Sequence, residues 1–439
     1  MNSRIFRLIV FFLAIVLFTI IGQPAFCDPL IKGPYLMLAA KPAIPPPAIS
    51  PKVVDNTAMT IRWEGDGGAL SKGSCTLEWG ETLAYGKTPI KPDTLEESPP
   101  WFSYTIRGLA PGALTYYRLI CKGERYTGAF RTPPADASAL TFFAYGDTRG
   151  DNDEPSSQKY VLMQMKKNIE DDAAKPYTLC LHTGDFVQRG QVKREWDRND
   201  TKNNSQFFNR EDWSRWFLSH FPVAGVLGNH EGYRQGGTDI ADFGQNFKNY
   251  WPYPFYPDDR DAFYYGFDYG PVHFSVIDGN DRINSCRKDA GTCRETGRNA
   301  TVAGLKPGTT QYDWLVNDLG STKPWKIVAI HNPLYAATGP RDRFRDAQEL
   351  ITNLHNLFKA KGVKLVLQGH KHYYSSRVVD GITYLTLGGG GAPLSDSDPK
   401  LGGKRIYQFG RFDITGNSLT YTIIDSSGKV AEKNTITIP

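Results

Sequence analysis

The stretch Leu140-Thr-Phe-Phe-Ala-Tyr-Gly-Asp147 sets the reading of the whole chain. Six residues rich in apolar and aromatic side chains read as a buried strand, and the run stops in Gly-Asp, a pair that turns a backbone rather than extends it. The same grammar returns four times. Tyr177 to Thr183 stops in Gly184-Asp185, Phe221 to Leu227 in Gly228-Asn-His-Glu231, Trp325 to Ile330 in His331, and Val363 to Leu367 in Gln368-Gly-His-Lys-His372. His273 to Ile277 and Ile382 to Leu387 are further strands. Between them, Gln158 to Asp172 places Val161, Leu162, Met165 and Ile169 on one helical face, and Asp346 to Lys361 does the same with Leu350, Leu354, Leu357 and Phe358. Ser157 is placed to cap the first helix and Gly362 to end the second. Strands alternating with helices predict a layered α/β domain. In such sheets ligands bind outside the carboxyl ends of the strands, so the five polar ends are expected to converge.

Outward from this block the grammar changes. Residues 31–135 are short β runs separated by turns: Met59 to Trp63, Cys75 to Trp79, Phe102 to Ile106, Thr115 to Cys121 and Thr127 to Arg131. Such spacing predicts an all-β sandwich, and Gly108 to Arg118 resembles the turn and strand of a fibronectin type III module. Lys41 to Ser50 is too rich in proline for regular structure and reads as an extended connector. Past the α/β block, Ile406 to Ile414, Leu419 to Asp425 and Thr435 to Ile438 read as antiparallel strands that finish a sheet. The expected organisation is a leader at 1–27, a sandwich at 31–135 and an α/β domain at 138–439.

The leader is Arg4 and Arg7, an apolar run from Leu8 to Ile21, and Gln23-Pro-Ala-Phe-Cys27. A basic start, an apolar centre and small residues beyond it form a signal peptide, and the run is shorter than the ~20 residues a membrane span needs. A secreted or periplasmic protein with no span after cleavage is expected; attachment through Cys27 is the minor alternative. The formal charge of +5 falls once Arg4 and Arg7 are removed, and no long basic block follows, so nucleic acid is not an obligate partner. Export permits disulfides. Cys75 with Cys121 and Cys286 with Cys293 are the expected pairs, and Cys180, inside an apolar strand, is expected to be a buried thiol.

The strand ends carry carboxylate, amide and imidazole groups, which suit Zn, Fe or Mn rather than the soft sites that select copper. Hydrolysis of a phosphate ester near neutral pH needs a deprotonated water and neutralised phosphoryl charge, which two cations ~3.5–4 Å apart supply together. A lone strand-end Asp is usually a turn former and a lone His a packing residue; five placements at once are hard to obtain that way.

In order and spacing these motifs resemble the calcineurin-like metallophosphoesterase family, and the preceding β domain makes the chain similar to the purple acid phosphatases. The resemblance implies a four-layer αββα sandwich behind an all-β fibronectin III-like sandwich, and two divalent or trivalent metal ions of Fe, Zn or Mn type. It implies that Asp147 and His372 hold the first ion, Asp185 bridges, and Asn229, His331 and His370 hold the second. His230 would be the general acid, oriented by Glu231, while a metal-activated water attacks phosphorus. The chain departs from the pattern twice. Arg149 stands where the wider family often has His, and Gln188 stands where the purple subgroup has Tyr. Without a phenolate no purple ferric centre is expected; water or Gln188 would complete the first ion's shell. Arg149 would either clamp a phosphate oxygen or form a loop salt bridge.

A small-molecule phosphoester is thus the expected substrate, monoesters first, with a phosphodiesterase on nucleotides or headgroups as the alternative and an inert adhesion protein as the rival from another class. His182 is expected in the core behind the ligands, and His220, His273 and His355 as structural or exposed residues. The segment from Trp196 to Trp216 reads as a packed insertion or a substrate entrance. Gly388 to Gly391 lacks the Lys-Ser/Thr of a nucleotide loop and is expected to allow close packing near the metals. Trp63, Trp79 and Trp101 read as sandwich core or as a carbohydrate platform.

Overall fold

The computed structural model describes residues 28–439 except 42–53, 67–69, 72, 87–93, 97–100, 137–138, 151–155, 198–206, 208–211, 235–236, 239–243, 258–261, 281–304 and 338–347. The leader, nearly all of the connector and the Cys286–Cys293 pair lie outside the described residues.

Strands β1 (Leu30–Ala40), β2 (Val54–Gly65), β3 (Cys75–Gly80), β4 (Thr94–Glu96), β5 (Trp101–Ile106), β6 (Leu114–Cys121) and β7 (Glu124–Arg131) form a β-sandwich. One sheet runs β1-β2-β5-β4 and the other β3-β6-β7, all antiparallel. In β6 Thr115, Tyr117, Leu119 and Cys121 point inward, the period of two that a half-buried strand requires. Cys121 faces Cys75 across the ladder and the two are joined by a disulfide, while Cys180 is a buried thiol. Trp63 and Trp101 are buried, which makes them core residues and removes them from any carbohydrate platform. β1 is an element the sequence reading lacked, because Gly33-Pro34 interrupts its apolar pattern; the ladder with β2 shifts register there and then resumes.

The α/β region holds two sheets. The first contains β8 (Leu140–Tyr145), β9 (Cys180–His182) and β10 (Val223–Gly225), parallel to one another. A two-residue ladder, β11 (Tyr233–Arg234) with β12 (Gly237–Thr238), follows in the chain. The second sheet is β13 (Tyr265–Tyr269), β14 (Val272–Ile277), β15 (Trp325–Ile330), β16 (Leu365–Gln368), β18 (Ile382–Leu387), β17 (Tyr374–Val379) and β19 (Gly403–Lys404) in that spatial order. Then β20 (Gln408–Thr415), β21 (Ser418–Asp425) and β22 (Val430–Thr437) return antiparallel to complete the first sheet on the far side of β8. Runs expected to span Tyr177 to Thr183 and Phe221 to Leu227 contain only three paired residues each, since the chain leaves the ladder early to form the ligand loops. β22 is longer than expected; as an edge strand it tolerates Glu432, Lys433 and Asn434, which hid it from the apolar pattern.

The sheets pack face to face, with Phe142 of β8 against Phe274 of β14 at 5.3 Å. Alternate residues of β15 divide between two cores. Ile327 and Ala329 join the core between the sheets, whereas Val328 and Ile330 join Leu315, Leu350, Leu354 and Phe358 from helices Thr310–Asp318 and Gln348–Lys361. Val161, Leu162, Met165 and Ile169 of helix Gln158–Glu170 cover the first sheet. The result is the αββα arrangement behind a β-sandwich. Gly362, at φ +76°, ends its helix as expected. Ser157 does not cap with its side chain; Ser156 Oγ accepts from Gln158 N at 3.1 Å instead.

Candidate metal centre

Both sheets end at the same edge. Asp147 follows β8, Asp185 follows β9, Asn229 and His230 follow β10, His331 follows β15 and His370 and His372 follow β16. Asp185, His331 and His370 bring ligand atoms within 4.8 Å of one another, and so do Asp147, Asp185 and His372. Asp185 therefore belongs to two groups at once. Its Oδ1 is 3.3 Å from His331 Nε2. Asn229 Oδ1 lies 3.1 Å from His331 Nε2 and 2.8 Å from His370 Nδ1, and His372 Nε2 lies 3.6 Å from Asp147 Oδ1.

The local backbone explains the motif glycines. Asp147, Asp185 and His370 adopt φ of +59°, +57° and +68°, a left-handed turn that throws each ligand back over its own strand end. That conformation costs roughly 1–2 kcal/mol for an ordinary residue and less for Asp. A Cβ on Gly228 would sit 2.2 Å from Asp185 Oδ1, so only glycine lets the loop after β10 pass the shared carboxylate. The loop of Gly388 to Gly391 packs as expected: a Cβ on Gly388 would meet Lys371 O at 2.1 Å.

Backbone carbonyls set the imidazole tautomers. His331 Nδ1 donates to Thr183 O at 2.7 Å and His372 Nδ1 to Pro393 O at 2.8 Å, so each Nε2 faces the centre. His230 Nδ1 donates to Gln188 O at 2.7 Å, leaving Nε2 3.9 Å from Asp185 Oδ2. Glu231, wholly buried, accepts from the amides of Asp185 (3.0 Å), Phe186 (2.8 Å) and Gly228 (2.7 Å). The carboxylate expected to orient His230 thus ties two ligand loops together, and the Gln188 carbonyl holds the ring.

Electrostatics favour cations here. Burial pushes Asp147 well above the usual carboxylate range and Asp185 adds to it, while His331 and Arg149 pull against them. Asp185 is held well below that range: burial opposes, but His331 and His230 outweigh it. Burial also lowers His230 to about 3, against the pull of Asp185. Two buried carboxylates side by side cannot both ionise without compensating positive charge. Against the effect of burial, Asp185 in turn raises His331 to about 9, so an arriving ion would displace that proton. With Nε2 of His331 and His372 turned inward, the donor set fits two cations.

Arg149 is the departure from the family pattern that the structure clarifies most. Its Nη1 donates to Gln188 Oε1 at 2.6 Å, Nη2 lies 3.4 Å from His372 Nε2, and Nε stands 3.8 Å from Asp185 Oδ2. Arg149 and Gln188 act as a pair at the rim of the Asp147, Asp185 and His372 group. His182 is buried behind the ligands, 3.1 Å from Thr148 Oγ1 and stacked on Phe186. His220, His273 and His355 bond to Trp216 O, to Asp268 and Asp318, and to Tyr384 Oη, away from the centre. Trp196, Trp213 and Trp216 are buried, so among the described residues the insertion's tryptophans pack. The carbonyls of Thr183, Gln188 and Pro393 escaped the sequence reading because a carbonyl is the same in every residue.

Residues 140–374 match the calcineurin-like phosphoesterase family, and the chain belongs to it. It is, by class, a metallophosphoesterase, a hydrolase built on a dinuclear metal centre, and it is similar to the purple acid phosphatases. Among relatives, the probable purple acid phosphatase 20 of Arabidopsis thaliana is 23% identical over 337 residues, covering 72% of this chain and 68% of the relative. Purple acid phosphatase 18 of the same plant is 24% identical, covering 66% of this chain and 57% of the relative. The purple acid phosphatase PPD1 of yellow lupin (Lupinus luteus) shares the fold with a TM-score of 0.66 at 16% identity, over 92% of this chain and 74% of that one. PhoD does so with a TM-score of 0.60 at 14% identity, over 94% of both.

Proposed function

We propose that this chain is an exported phosphatase whose main substrates are phosphate monoesters. The observation that carries the reading is Asp185, shared between the Asp147–His372 group and the His331–His370 group. Asp147, Asp185 and His372 would hold one ion, and Asp185, Asn229, His331 and His370 the other. Two such ions would supply an activated water and neutralise charge on the phosphoryl oxygens. His230 Nε2 faces the same space and would donate a proton to the leaving oxygen, the ester's negative charge favouring the protonated ring. Glu231 supports the reaction by fixing the loops that carry Asp185 and Asn229. Arg149, whose Nη1 is held by Gln188, would clamp a phosphoryl oxygen with its remaining N–H groups.

Export is supported by the leader and by the Cys75–Cys121 disulfide, which fits an oxidising compartment. No described helix is long and apolar enough to cross a membrane. The domains are assigned as 31–135, a fibronectin III-like sandwich, and 138–439. The test is hydrolysis of an aryl phosphate monoester and the matching diester by purified protein, with elemental analysis and an Asp185→Ala variant. Monoester turnover with about two metals per chain, abolished by Asp185→Ala, supports the proposal. A metal-loaded protein that cleaves only the diester overturns the substrate assignment, and an active Asp185→Ala overturns the site.

A further inference from the structure

The ring of His230 is held by a loop, and that loop is anchored in the other domain. Gln188 O receives His230 Nδ1–H, and two residues on Gly190 N donates to His230 O at 2.8 Å. Gly190 O in turn accepts from Trp196 Nε1 at 2.7 Å and Asn246 Nδ2 at 2.9 Å. Arg189 N donates to Glu195 Oε2 at 2.6 Å, and the Arg189 guanidinium pairs with the same carboxylate. The loop thus hangs from the short helix Lys193–Trp196.

Beyond that helix the contacts cross to the sandwich. Asp197 pairs with Lys32 of β1, and Lys193 Nζ is 3.3 Å from Glu64 of β2. Lys32 Nζ is 2.6 Å from Glu64 Oε2, and both side chains are fully buried. Lys32 also lies over the ring of Tyr250, 4.4 Å from its centroid, and Tyr250 packs on Trp196 at 5.0 Å. Burial lowers the Lys32 ammonium from its ordinary range, opposed by Glu64 and Asp197. A buried ion pair is a poor source of stability against an apolar pair of the same size, but it fixes geometry, because a charge cannot leave its partner in a dry interior. Its placement between the two domains, one step from the helix that carries the loop, gives that geometry a use.

We infer that Lys32 and Glu64 of the N-terminal sandwich are positioning residues for His230, acting through Asp197, helix Lys193–Trp196 and the Gln188–Gly190 loop. The inference rests on the reading of His230 as proton donor and gives the sandwich a part in the reaction. Without the anchor the ring keeps its neighbours but loses its aim, and a proton donor displaced by ~1 Å is roughly a hundredfold less effective at worst.

The test uses the full metal-loaded chain with Asp197→Ala, which removes the half-buried carboxylate that joins Lys32 to the helix and leaves Lys32–Glu64 intact. Lys32→Met/Glu64→Leu, which strands no buried partner within the pair, is the second variant. Two readouts are needed. Amide hydrogen exchange over 186–197 and 228–232 is expected to accelerate about tenfold or more, with metal content unchanged; unaltered exchange in both variants overturns the inference whatever the substrate proves to be. On phosphate monoesters, kcat is expected to fall about tenfold on an alkyl substrate and little on a nitrophenyl one, because only the poor leaving group needs the proton. Equal losses on both, or no loss, overturn it too. If the wild type cleaves no phosphoester, the proposed function fails, and hydrogen exchange still decides the anchoring.

Discussion

Arg149 Nη2 points at His372 Nε2 from 3.4 Å, on the lone pair that the Pro393 carbonyl leaves free for an ion. A fixed guanidinium therefore stands against one ion position and not the other. The two ions are expected to bind unequally, the weaker at Asp147, Asp185 and His372. Arg149→Ala should tighten that ion by roughly tenfold or more, through removal of like charge at close range, and raise KM for a phosphomonoester. Titration calorimetry on metal-free protein, resolving two binding events, measures the first effect; a weaker affinity that the substitution leaves unchanged contradicts it.

The ligand groups are separable. His331→Ala should lower metal content to about one ion per chain and leave Asp147, Asp185 and His372 loaded, whereas His372→Ala should empty the opposite position. Elemental analysis after gel filtration distinguishes these outcomes. Equal metal loss in both variants would argue that the ions bind only as a pair.

Glu231 carries three amide hydrogen bonds in a dry interior. Glu231→Ala strands those donors, each worth roughly 1–3 kcal/mol when left unsatisfied, and should lower both unfolding stability and metal affinity. Urea unfolding of metal-free protein isolates the stability part. A variant as stable as wild type would show that the ligand loops hold themselves.

His273 predicts a pH dependence away from the metals. It sits between Asp268 (2.7 Å) and Asp318 (3.0 Å); burial disfavours its charge, but the two carboxylates outweigh that and raise it to about 9. A raised histidine contributes fully below its unfolded pKa of about 6.5, and the contribution disappears as pH climbs through the folded value. Unfolding stability should therefore decline between neutral pH and about 9. The loss is on the order of 2–3 kcal/mol at most, and His273→Asn should flatten it. A flat wild-type profile over that window would refute the pairing.

The strand ends were legible because a metal site needs particular side chains, and Asp147, Asp185, His331, His370 and His372 sit where their strands stop. A layered α/β domain followed from apolar strands alternating with helical faces of period 3.6, whereas the four-layer αββα form was implied by the family resemblance. What stayed hidden is conformational or collective. β1 is disguised by Gly33-Pro34, and β22 by the charges an exposed edge tolerates. The tautomers of His331 and His372 depend on carbonyls, and Lys32 reads in sequence as an ordinary exposed lysine although it is buried at the join of two domains.

The left-handed backbone at Asp147, Asp185 and His370 bears on how ions come and go. The bend is imposed by the sheets and by tight glycine neighbours, so its energetic burden belongs to folding and is already met when an ion arrives. The sheets thus preset the ligand side chains, and a substitution that loosens the strand ends is expected to weaken the hold on both ions even where every ligand remains.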